Sequence, residues 1–340
     1  MKTAILGASG YAGGELVRFI DDHDEFHLVH LGAHTQSGMP LGSVHPHLAG
    51  GSRVLGSNDP NALPEVDLVF LALPHGASAE IGKALADDGS RVVDLGADYR
   101  LDSDDRYRAA YGQPHPHPED LGEWVYGLPE LFDCTDTGRV ASPGCYPTTT
   151  ILGLAPLVVA GLIDPGTIVV NAVSGVSGAG RKLAEQFLFG SIDEGVVAYG
   201  VGVHRHRPEM EMALELLSGT RASVTFTPHL VPMQRGIVAT STATLVDPST
   251  SRAVLLDALR SAYEGRPFVE VIDVPPQSRW TVNSNRALLS AFVDAPTGRV
   301  VVTAALDNLV KGAAGQAVQA ANLMLDLPED TGLPSHGWMP

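Results

Sequence analysis

The segment Gly7-Ala8-Ser9-Gly10-Tyr11-Ala12-Gly13 lies between an apolar run at residues 3–7, which predicts a buried strand, and the start of a helical pattern at 13–20. Glycines at a strand-to-helix junction permit a tight turn and let the backbone approach a pyrophosphate at the amino end of the helix. The spacing is Gly-x-x-Gly-x-x-Gly rather than the commoner Gly-x-Gly-x-x-Gly, so the position of the motif carries most of the signal. It predicts a dinucleotide site whose candidate contacts are Gly7, Ser9, Gly10, Tyr11, Ala12 and Gly13.

Strands and helices alternate downstream of this motif. Apolar runs at 26–31, 66–73 and 91–95 predict strands, and the pattern at 77–88 predicts a helix. The nearly unbroken run at 66–73 is typical of a parallel strand that is covered on both faces. The alternation predicts a doubly wound parallel sheet of the Rossmann type.

The pattern changes after Cys145. A helix is predicted from Pro147 to residue 160, and a last helix at 313–325. Strands rich in Val and Thr are predicted at 167–173, 222–226, 236–245, 268–274, 287–293 and 299–306. Few helices separate them, which indicates a mixed or antiparallel sheet packed against helices. The predicted fold class is therefore α/β, with a Rossmann-type domain followed by an α+β domain, and a length of 340 residues fits two domains.

Composition excludes several classes of partner and location. A formal net charge of −17 argues against nucleic acid and anionic membrane as partners, because both would be repelled. Two cysteines are too few for a disulfide scaffold, and no apolar run approaches the ~18–20 residues of a membrane span. The chain opens directly into an apolar strand without the regions of a secretory signal. We therefore expect a cytoplasmic protein with reduced thiols.

The residues after the second predicted strand bear on the choice of cofactor. NAD enzymes usually place Asp or Glu there to bind the ribose 2′-hydroxyl. The stretch at 31–38 contains no carboxylate, and Thr35 and Ser37 offer neutral donors. This favours NADP, although the stretch also lacks an arginine for the 2′-phosphate.

Cys145 is the candidate nucleophile, in Ser142-Pro143-Gly144-Cys145-Tyr146-Pro147-Thr148. A thiol just before a helix that begins at Pro147 lies at the positive end of the helix dipole, which favours the reactive thiolate. The alternative is a buried structural cysteine in a turn. That alternative is the preferred interpretation of Cys134, because its neighbours Asp133 and Asp136 disfavour a thiolate.

Two histidines and two arginines alternate in His204-Arg205-His206-Arg207. Their charge would favour a thiolate and attract an anionic substrate, and a histidine titrates near neutrality, as a proton carrier should. The alternatives are a solvated basic turn and half of a metal site. A metal is not expected, because no third ligand or cysteine cluster is evident.

At these residues the chain resembles the N-acetyl-gamma-glutamyl-phosphate reductase family, relatives of the aspartate-semialdehyde dehydrogenases. The resemblance spans nearly the whole chain. It rests on the segments at 7–16, 73–76, 96–101, 126–130, 143–148, 174–180, 204–209, 232–236 and 307–312. The most specific are Pro-Gly-Cys-Tyr-Pro-Thr at 143–148 and His-Arg-His-Arg-Pro-Glu at 204–209.

The resemblance implies an NADP-binding Rossmann domain at 1–146, completed by the C-terminal residues 308–340, and a catalytic and dimerisation domain at 147–307. It implies Cys145 as nucleophile and a histidine of the 204–206 pair as acid/base; His204 is preferred, although the sequence does not separate it from His206. Gly178 and Asn308 are the implied contacts of the nicotinamide half. The candidates for binding the substrate's phosphate and carboxylate are Arg100, Ser142, Arg181, Arg205 and Arg235, because arginine binds two oxygens at once.

The implied reaction is reduction of a small-molecule acyl phosphate to an aldehyde through a thioester on Cys145, in a dimer or tetramer of this chain. Aspartyl phosphate and a carrier-bound glutamyl or aminoadipyl phosphate are the alternative substrates. A non-catalytic NADP sensor and a Cys–His hydrolase are rival functions. The pairing of Cys145 with a histidine argues against the sensor, and the glycine turn argues against the hydrolase.

Overall fold

The computed structural model describes residues 1–181 and 183–339, and the chain forms two compact units. The first contains Met1–Arg108, Gly112–Pro143 and Ala313–Leu333. The second contains Ala109–Tyr111, Gly144–Gly312 and residues 334–339. Compared with the predicted domains, residues 109–111, 144–146, 308–312 and 334–339 lie with the second unit.

Helices and strands alternate in the first unit and strands dominate the second. The strands are β1 Lys2–Leu6, β2 His27–Ala33, β3 Gly56–Ser57, β4 Leu68–Leu71, β5 Arg91–Asp94, β6 Val125–Tyr126, β7 Arg139–Ala141, β8 Ile168–Ser174, β9 Val197–Ala198, β10 Val224–Leu230, β11 Ile237–Thr244, β12 Val269–Val271, β13 Ala287–Asp294 and β14 Arg299–Leu306. The α-helices are α1 Tyr11–Asp21, α2 Leu41–Val44, α3 Ala79–Asp87, α4 Asp104–Tyr111, α5 Cys145–Val159, α6 Phe189–Ile192, α7 His206–Ser218, α8 Arg252–Ala262 and α9 Gly315–Met324.

The first unit is built on a parallel sheet of seven strands in the order β3-β2-β1-β4-β5-β7-β6. Every residue of β4 is buried, as expected for a strand covered on both faces. The order in which strands are added to the sheet reverses at β1, with β2 and β3 on one side of it and β4 on the other. The carboxyl end of β1, where the glycine segment begins, is therefore the point at which such sheets bind nucleotides.

Helix α9 packs on α1 and β5 of the first unit. Its polar residues are buried but bonded: the Gln316 amide donates to the Gly127 carbonyl at 2.8 Å, and the Gln319 amide to the Glu130 carboxylate at 2.9 Å. Buried amides need such partners, and these two fix the rotation of α9 about its axis.

The second unit contains a mixed sheet in the order β12-β13-β14-β11-β8-β10-β9. One row across it joins Phe226, Val170, Ser241 and Val302, all buried. A Cβ placed on Gly153 of α5 would lie 3.0 Å from Val302, so α5 covers the face to which this row belongs. Alternate residues point the other way and are only half-buried, among them Val169, Val173, Thr240, Thr242 and Val301. We call this half-buried surface the open face.

The expected fold class is confirmed, but the sequence pattern predicted fewer helices in the second unit than the structure contains. Helix α8 carries a capping signal, since the Ser251 hydroxyl accepts from the Val254 amide, and it buries Leu255 and Leu259 at helical spacing. Helix α5 begins at Cys145 and not at Pro147, because Gly144 serves as its N-cap. None of the described helices combines the length and apolar character needed to cross a bilayer.

Candidate active site

The glycine turn after β1 is held by backbone packing that excludes side chains. Gly7 has a φ of +88°, and a Cβ on it would lie 2.3 Å from the Ala72 carbonyl oxygen. A Cβ on Gly13 would lie 2.3 Å from the Gly7 carbonyl oxygen. Gly10 is the N-cap of α1 and has no side chain to accept from the amides of the first turn. The turn therefore presents bare backbone at a helix amino terminus, which suits a pyrophosphate.

Sequence reasoning missed Asn58, which supports this turn. Its side-chain oxygen accepts from the Gly7 amide at 3.0 Å. Thr35 and Ser37, the candidates for the 2′ end of the ribose, are exposed in the turn that follows β2. Nothing in the sequence around Asn58 signals its role, because the contact joins residues far apart in the chain.

Cys145 is the first residue of α5 and is partly exposed. It opens into a cavity of about 340 Å³ within the second unit, which we call the thiol cavity. The cavity is lined by Cys145, Tyr146, Ser174, Gly175, Gly178, Ala179, Gln186, Phe187, Val197, Ala198, Tyr199, His204, Arg205, His206 and Leu230. Cys134, in contrast, is fully buried and its thiol donates to the Phe132 carbonyl.

Glu209 joins the helix of the nucleophile to the helix of the histidines. It is buried in the first turn of α7, and its carboxylate accepts from the Gly144 amide at 2.8 Å. Gly144 is the N-cap of α5, and His206 is the first residue of α7. The bond therefore fixes two helix amino termini together, each beginning with a residue of the thiol cavity. Glu209 belongs to the motif at 204–209, but this contact is not visible in the sequence because its partner lies 65 residues away.

The two histidines lie side by side in the cavity wall, with ring centroids 4.8 Å apart. The His206 backbone amide donates to Nδ1 of His204 at 3.1 Å, so neutral His204 carries its proton on Nε2. Burial, and to a lesser degree the Arg205 guanidinium, lowers the pKa of His204 to about 4. His204 is therefore neutral at pH 7.

Aromatic packing causes this burial. The Tyr146 and Phe226 rings lie 5.9 and 5.2 Å from the His204 ring, and Tyr146 is also 6.0 Å from His206. The Tyr199 hydroxyl donates to the Tyr146 hydroxyl at 2.9 Å. Burial raises the pKa of Tyr199 to about 12 and that of Tyr146 further, so both phenols stay neutral. This cluster fixes the position of the two imidazole rings and partly excludes water from them.

The residues expected at the nicotinamide half come together in the second unit. A Cβ on Gly178 would lie 3.6 Å from the side-chain nitrogen of Asn308, and Gly178 lines the thiol cavity. The Asn308 side chain accepts from the Gly236 amide at 2.7 Å and donates to the Ser177 hydroxyl at 2.9 Å. Asn308 thus fixes the loop that carries Gly178.

The candidate substrate residues are distributed over both units. Arg205 lines the thiol cavity, and Arg181 is exposed in the second unit. Arg235 lies with one guanidinium nitrogen 3.6 Å from the Asp307 carboxylate. Arg100 and Ser142 belong to the first unit, where Arg100 donates to the Leu95 carbonyl and Ser142 is buried. Arg205 is thus the candidate that the structure brings to the cavity of Cys145.

Possible metal ligands occur together in one described group outside the thiol cavity. Ligand atoms of His117, Glu119 and Asp120 lie within 4.8 Å of one another. His117 pairs with Glu80 at 2.9 Å, and Asp120 pairs with Lys83 at 3.1 Å. Two of these three side chains are therefore already engaged in ion pairs. The absence of a metal site stays a prediction from the sequence.

Two family models match the chain. The NAD binding domain of semialdehyde dehydrogenases matches residues 2–135, and their dimerisation domain matches residues 145–308. Among curated relatives, the N-acetyl-gamma-glutamyl-phosphate reductases of Frankia casuarinae, Salinispora tropica and Moorella thermoacetica are 46%, 47% and 43% identical to this chain. Each alignment covers 100% of this chain and at least 99% of the relative. This chain belongs to the N-acetyl-gamma-glutamyl-phosphate reductase family. The predicted resemblance is confirmed.

Solved structures with the same fold are more distant in sequence. Aspartate semialdehyde dehydrogenase II of Vibrio cholerae has a TM-score of 0.72 at 18% identity, covering 96% of this chain and 98% of that one. An aspartate semialdehyde dehydrogenase of Candida albicans, solved with NADP, has a TM-score of 0.67 at 18% identity, covering 95% and 97%. These similarities show the shared fold of the wider family.

The depressed pKa of His204 predicts how acid affects stability. Between pH 6.5 and about 4 the unfolded chain protonates this histidine and the folded chain does not, so its contribution to stability is lost as the pH falls. Replacing His204 by Asn keeps an acceptor for the His206 amide. In this variant the free energy of unfolding should decrease less steeply with falling pH, by up to about 1.4 kcal/mol per pH unit. Urea unfolding at pH 6.5, 5.5 and 4.5 measures this, with His34→Asn at an exposed position as control. An unchanged slope in His204→Asn would show that this histidine is not buried in its neutral form.

Proposed function

We propose that this chain reduces N-acetyl-gamma-glutamyl phosphate to the corresponding semialdehyde and phosphate, using NADPH and a thioester on Cys145. The observation that carries the proposal is the placement of Cys145, at a helix amino terminus and in one cavity with two histidines and an arginine. Relatives that are 43–47% identical over their full length bear this reductase name, whereas the aspartate semialdehyde dehydrogenases are similar at 18%. The relatives favour this substrate over aspartyl phosphate.

The Cys145 thiolate attacks the acyl carbon, and the C–O bond to phosphate breaks to leave a thioester and inorganic phosphate. A thioester keeps the carbonyl electrophilic enough for reduction, which a free carboxylate is not. When bound, a reduced nicotinamide supplies the hydride. Amides in the first turn of α5 stabilise negative charge on the carbonyl oxygen, and the thiolate leaves as the aldehyde forms.

We assign the proton transfer to His206. His204 is neutral, and its Nδ1 already accepts from a backbone amide. Its Nε2–H group remains available to donate a hydrogen bond to the substrate. His206, the first residue of α7, moves the proton on the reacting oxygen as the carbon–sulfur bond breaks. Arg205, between the two histidines, binds the anionic substrate in the cavity.

The glycine turn fits a dinucleotide, because its tight backbone packing leaves no room for a Cβ at Gly7 or Gly13, and Gly10 leaves the amino terminus of α1 without a capping side chain. The match to an NAD binding domain supports the cofactor class. The choice of NADP rests on the absence of a carboxylate at 31–38, with Thr35 and Ser37 exposed beside the end of β2. Gly178 and Asn308 are the proposed contacts of the nicotinamide half.

The open face of the second sheet supports self-association. Helices cover the opposite face, while Val169, Val173 and Val301 remain only half-buried on this one. The match to a dimerisation domain over 145–308 includes the whole surface. We therefore propose that a second copy of this chain packs on the open face. The cytoplasmic location stays a prediction from the sequence.

Cys145→Ser should lower the rate of NADPH oxidation with N-acetyl-gamma-glutamyl phosphate by at least about a thousandfold, because a hydroxyl is a far weaker nucleophile than a thiolate. The binding of NADPH should be unchanged, as followed by calorimetry. Cys134→Ser is the matched control and should stay within about threefold of the unmodified enzyme, since a serine can also donate to the Phe132 carbonyl. Turnover by Cys145→Ser comparable to that of the unmodified enzyme would contradict the covalent mechanism.

Thr35→Asp should raise the dissociation constant of NADPH by about tenfold or more and that of NADH far less. A carboxylate here repels the 2′-phosphate but can accept from a 2′-hydroxyl. Thr220→Asp makes the same charge change at an exposed residue of the second unit and should alter neither constant. Equal losses for the two cofactors in Thr35→Asp would contradict the proposed 2′-phosphate site.

Val238→Lys should convert the oligomer to monomers, as measured by light scattering. Val238 lies on the open face between Val173 and Ala305, where a buried unpaired charge opposes packing of a second sheet. Thr220→Lys, which adds the same charge at an exposed position, should leave the mass unchanged. A Val238→Lys protein with the oligomeric mass of the unmodified protein would place the interface elsewhere.

A further inference from the structure

The turn that follows β14 lies directly against Cys145. A Cβ built on Gly312 would be 2.8 Å from the Cβ of Cys145, closer than two such carbons approach, and 3.3 Å from its Cα, which is also a tight contact. Gly312 does not have a positive φ, so its backbone conformation is open to other residues. Space beside the nucleophile, and not backbone geometry, is what requires glycine here.

The turn has an unusual form. Residues Val310–Ala314 make a π-helical turn, in which the Gly312 amide donates to the Asp307 carbonyl at 2.9 Å. Such turns hold one residue more than an α-helical turn and occur often at functional sites. The neighbouring Lys311 is fully buried, with its ammonium 5.9 Å from the centre of the Phe268 ring. The turn is therefore anchored at Gly312 and at the residue before it.

Asp307 fixes the start of this turn. Its carboxylate is fully buried, and one oxygen accepts from the amides of Leu309 and Val310 at 2.8 and 3.2 Å. The other oxygen accepts from the Asn283 amide at 2.8 Å and lies 3.6 Å from Arg235. Three backbone bonds to one carboxylate leave the turn little freedom to shift.

We propose that Gly312 is a positioning residue for Cys145, with the Asp307-capped turn holding bare backbone against the Cβ of the nucleophile. The proposal rests on the nucleophilic role of Cys145 given above. A methyl group at 312 must displace either Cys145 or the turn by several tenths of an ångström. A displaced sulfur still permits substrate binding but loses the alignment on which attack depends.

Gly312→Ala is the test, and Gly153→Ala is its matched control. Gly153 is buried in the helix that Cys145 begins, and a Cβ there would lie 3.0 Å from a methyl carbon of Val302, so the control adds a similar strain away from the thiol. Gly312→Ala should lower kcat about a hundredfold and change KM less than about threefold, because misplacement affects the attack and not the binding. Gly153→Ala should change each less than about threefold. Equal effects of the two variants on kcat would overturn the proposal.

A second measurement does not depend on the reaction. The rate at which iodoacetamide alkylates Cys145, followed by mass spectrometry from pH 6 to 9, should change at least about fivefold in Gly312→Ala and stay unchanged in Gly153→Ala. If the unmodified protein failed to reduce the acyl phosphate, the proposed function would fall, while this measurement would still decide the role of Gly312. An unaltered alkylation profile in Gly312→Ala would overturn it.

A double-mutant cycle tests the contact itself. Cys145→Gly removes the carbon that the new methyl would strike, so the fall in Tm caused by Gly312→Ala should shrink by at least half in that background. The fall caused by Gly153→Ala should be the same in both backgrounds. Should Gly312→Ala not fold alone, the Cys145→Gly/Gly312→Ala protein should fold. Failure of the double variant to fold, or an undiminished fall in Tm, would show that contact with Cys145 is not the constraint.

Discussion

The hydrogen bond from the Gly144 amide to the Glu209 carboxylate is the contact on which the geometry of the site depends. It ties the N-cap of one helix to the first turn of another, so the residues that begin the two helices, Cys145 and His206, enter the same cavity. Both helix dipoles present their positive ends there, and the buried carboxylate is stabilised by the same fields. A protein with a net charge of −17 can thus provide a local site for an anionic substrate.

The aromatic rings that pack against His204 affect both the orientation and the charge of its imidazole. Packing of Tyr146 and Phe226 against His204 fixes the orientation of its ring, and the same packing removes the water that would stabilise its charge. The neutral state of His204 at pH 7 therefore follows from its packing in the fold and not from its motif.

The sequence predicted those features that arise from local patterns. The apolar run of β4, the glycine turn after β1 and Cys145 at the start of a helix each depend on neighbouring residues. Other features depend on partners distant in the chain. Glu209 contacts an amide 65 residues away, and Gly312 is set by the Cβ of Cys145, so neither role is visible in a local motif. The local proline signal predicts that α5 starts at Pro147. The actual start at Cys145 depends on the N-cap Gly144, whose amide donates to the distant Glu209. The lowered pKa of His204 has the same origin, since it follows from rings that the fold assembles.

The first unit is assembled from segments that precede and follow the second unit in the sequence, since α9 packs on it after the chain has passed through Gly144–Gly312. During synthesis the strands of the parallel sheet leave the ribosome well before the helix whose amides bond to Gly127 and Glu130. The surface of the first unit that α9 covers therefore stays exposed until residues 315–324 have been synthesised. The second unit is a single continuous stretch apart from short peripheral pieces, so it can mature earlier on the emerging chain.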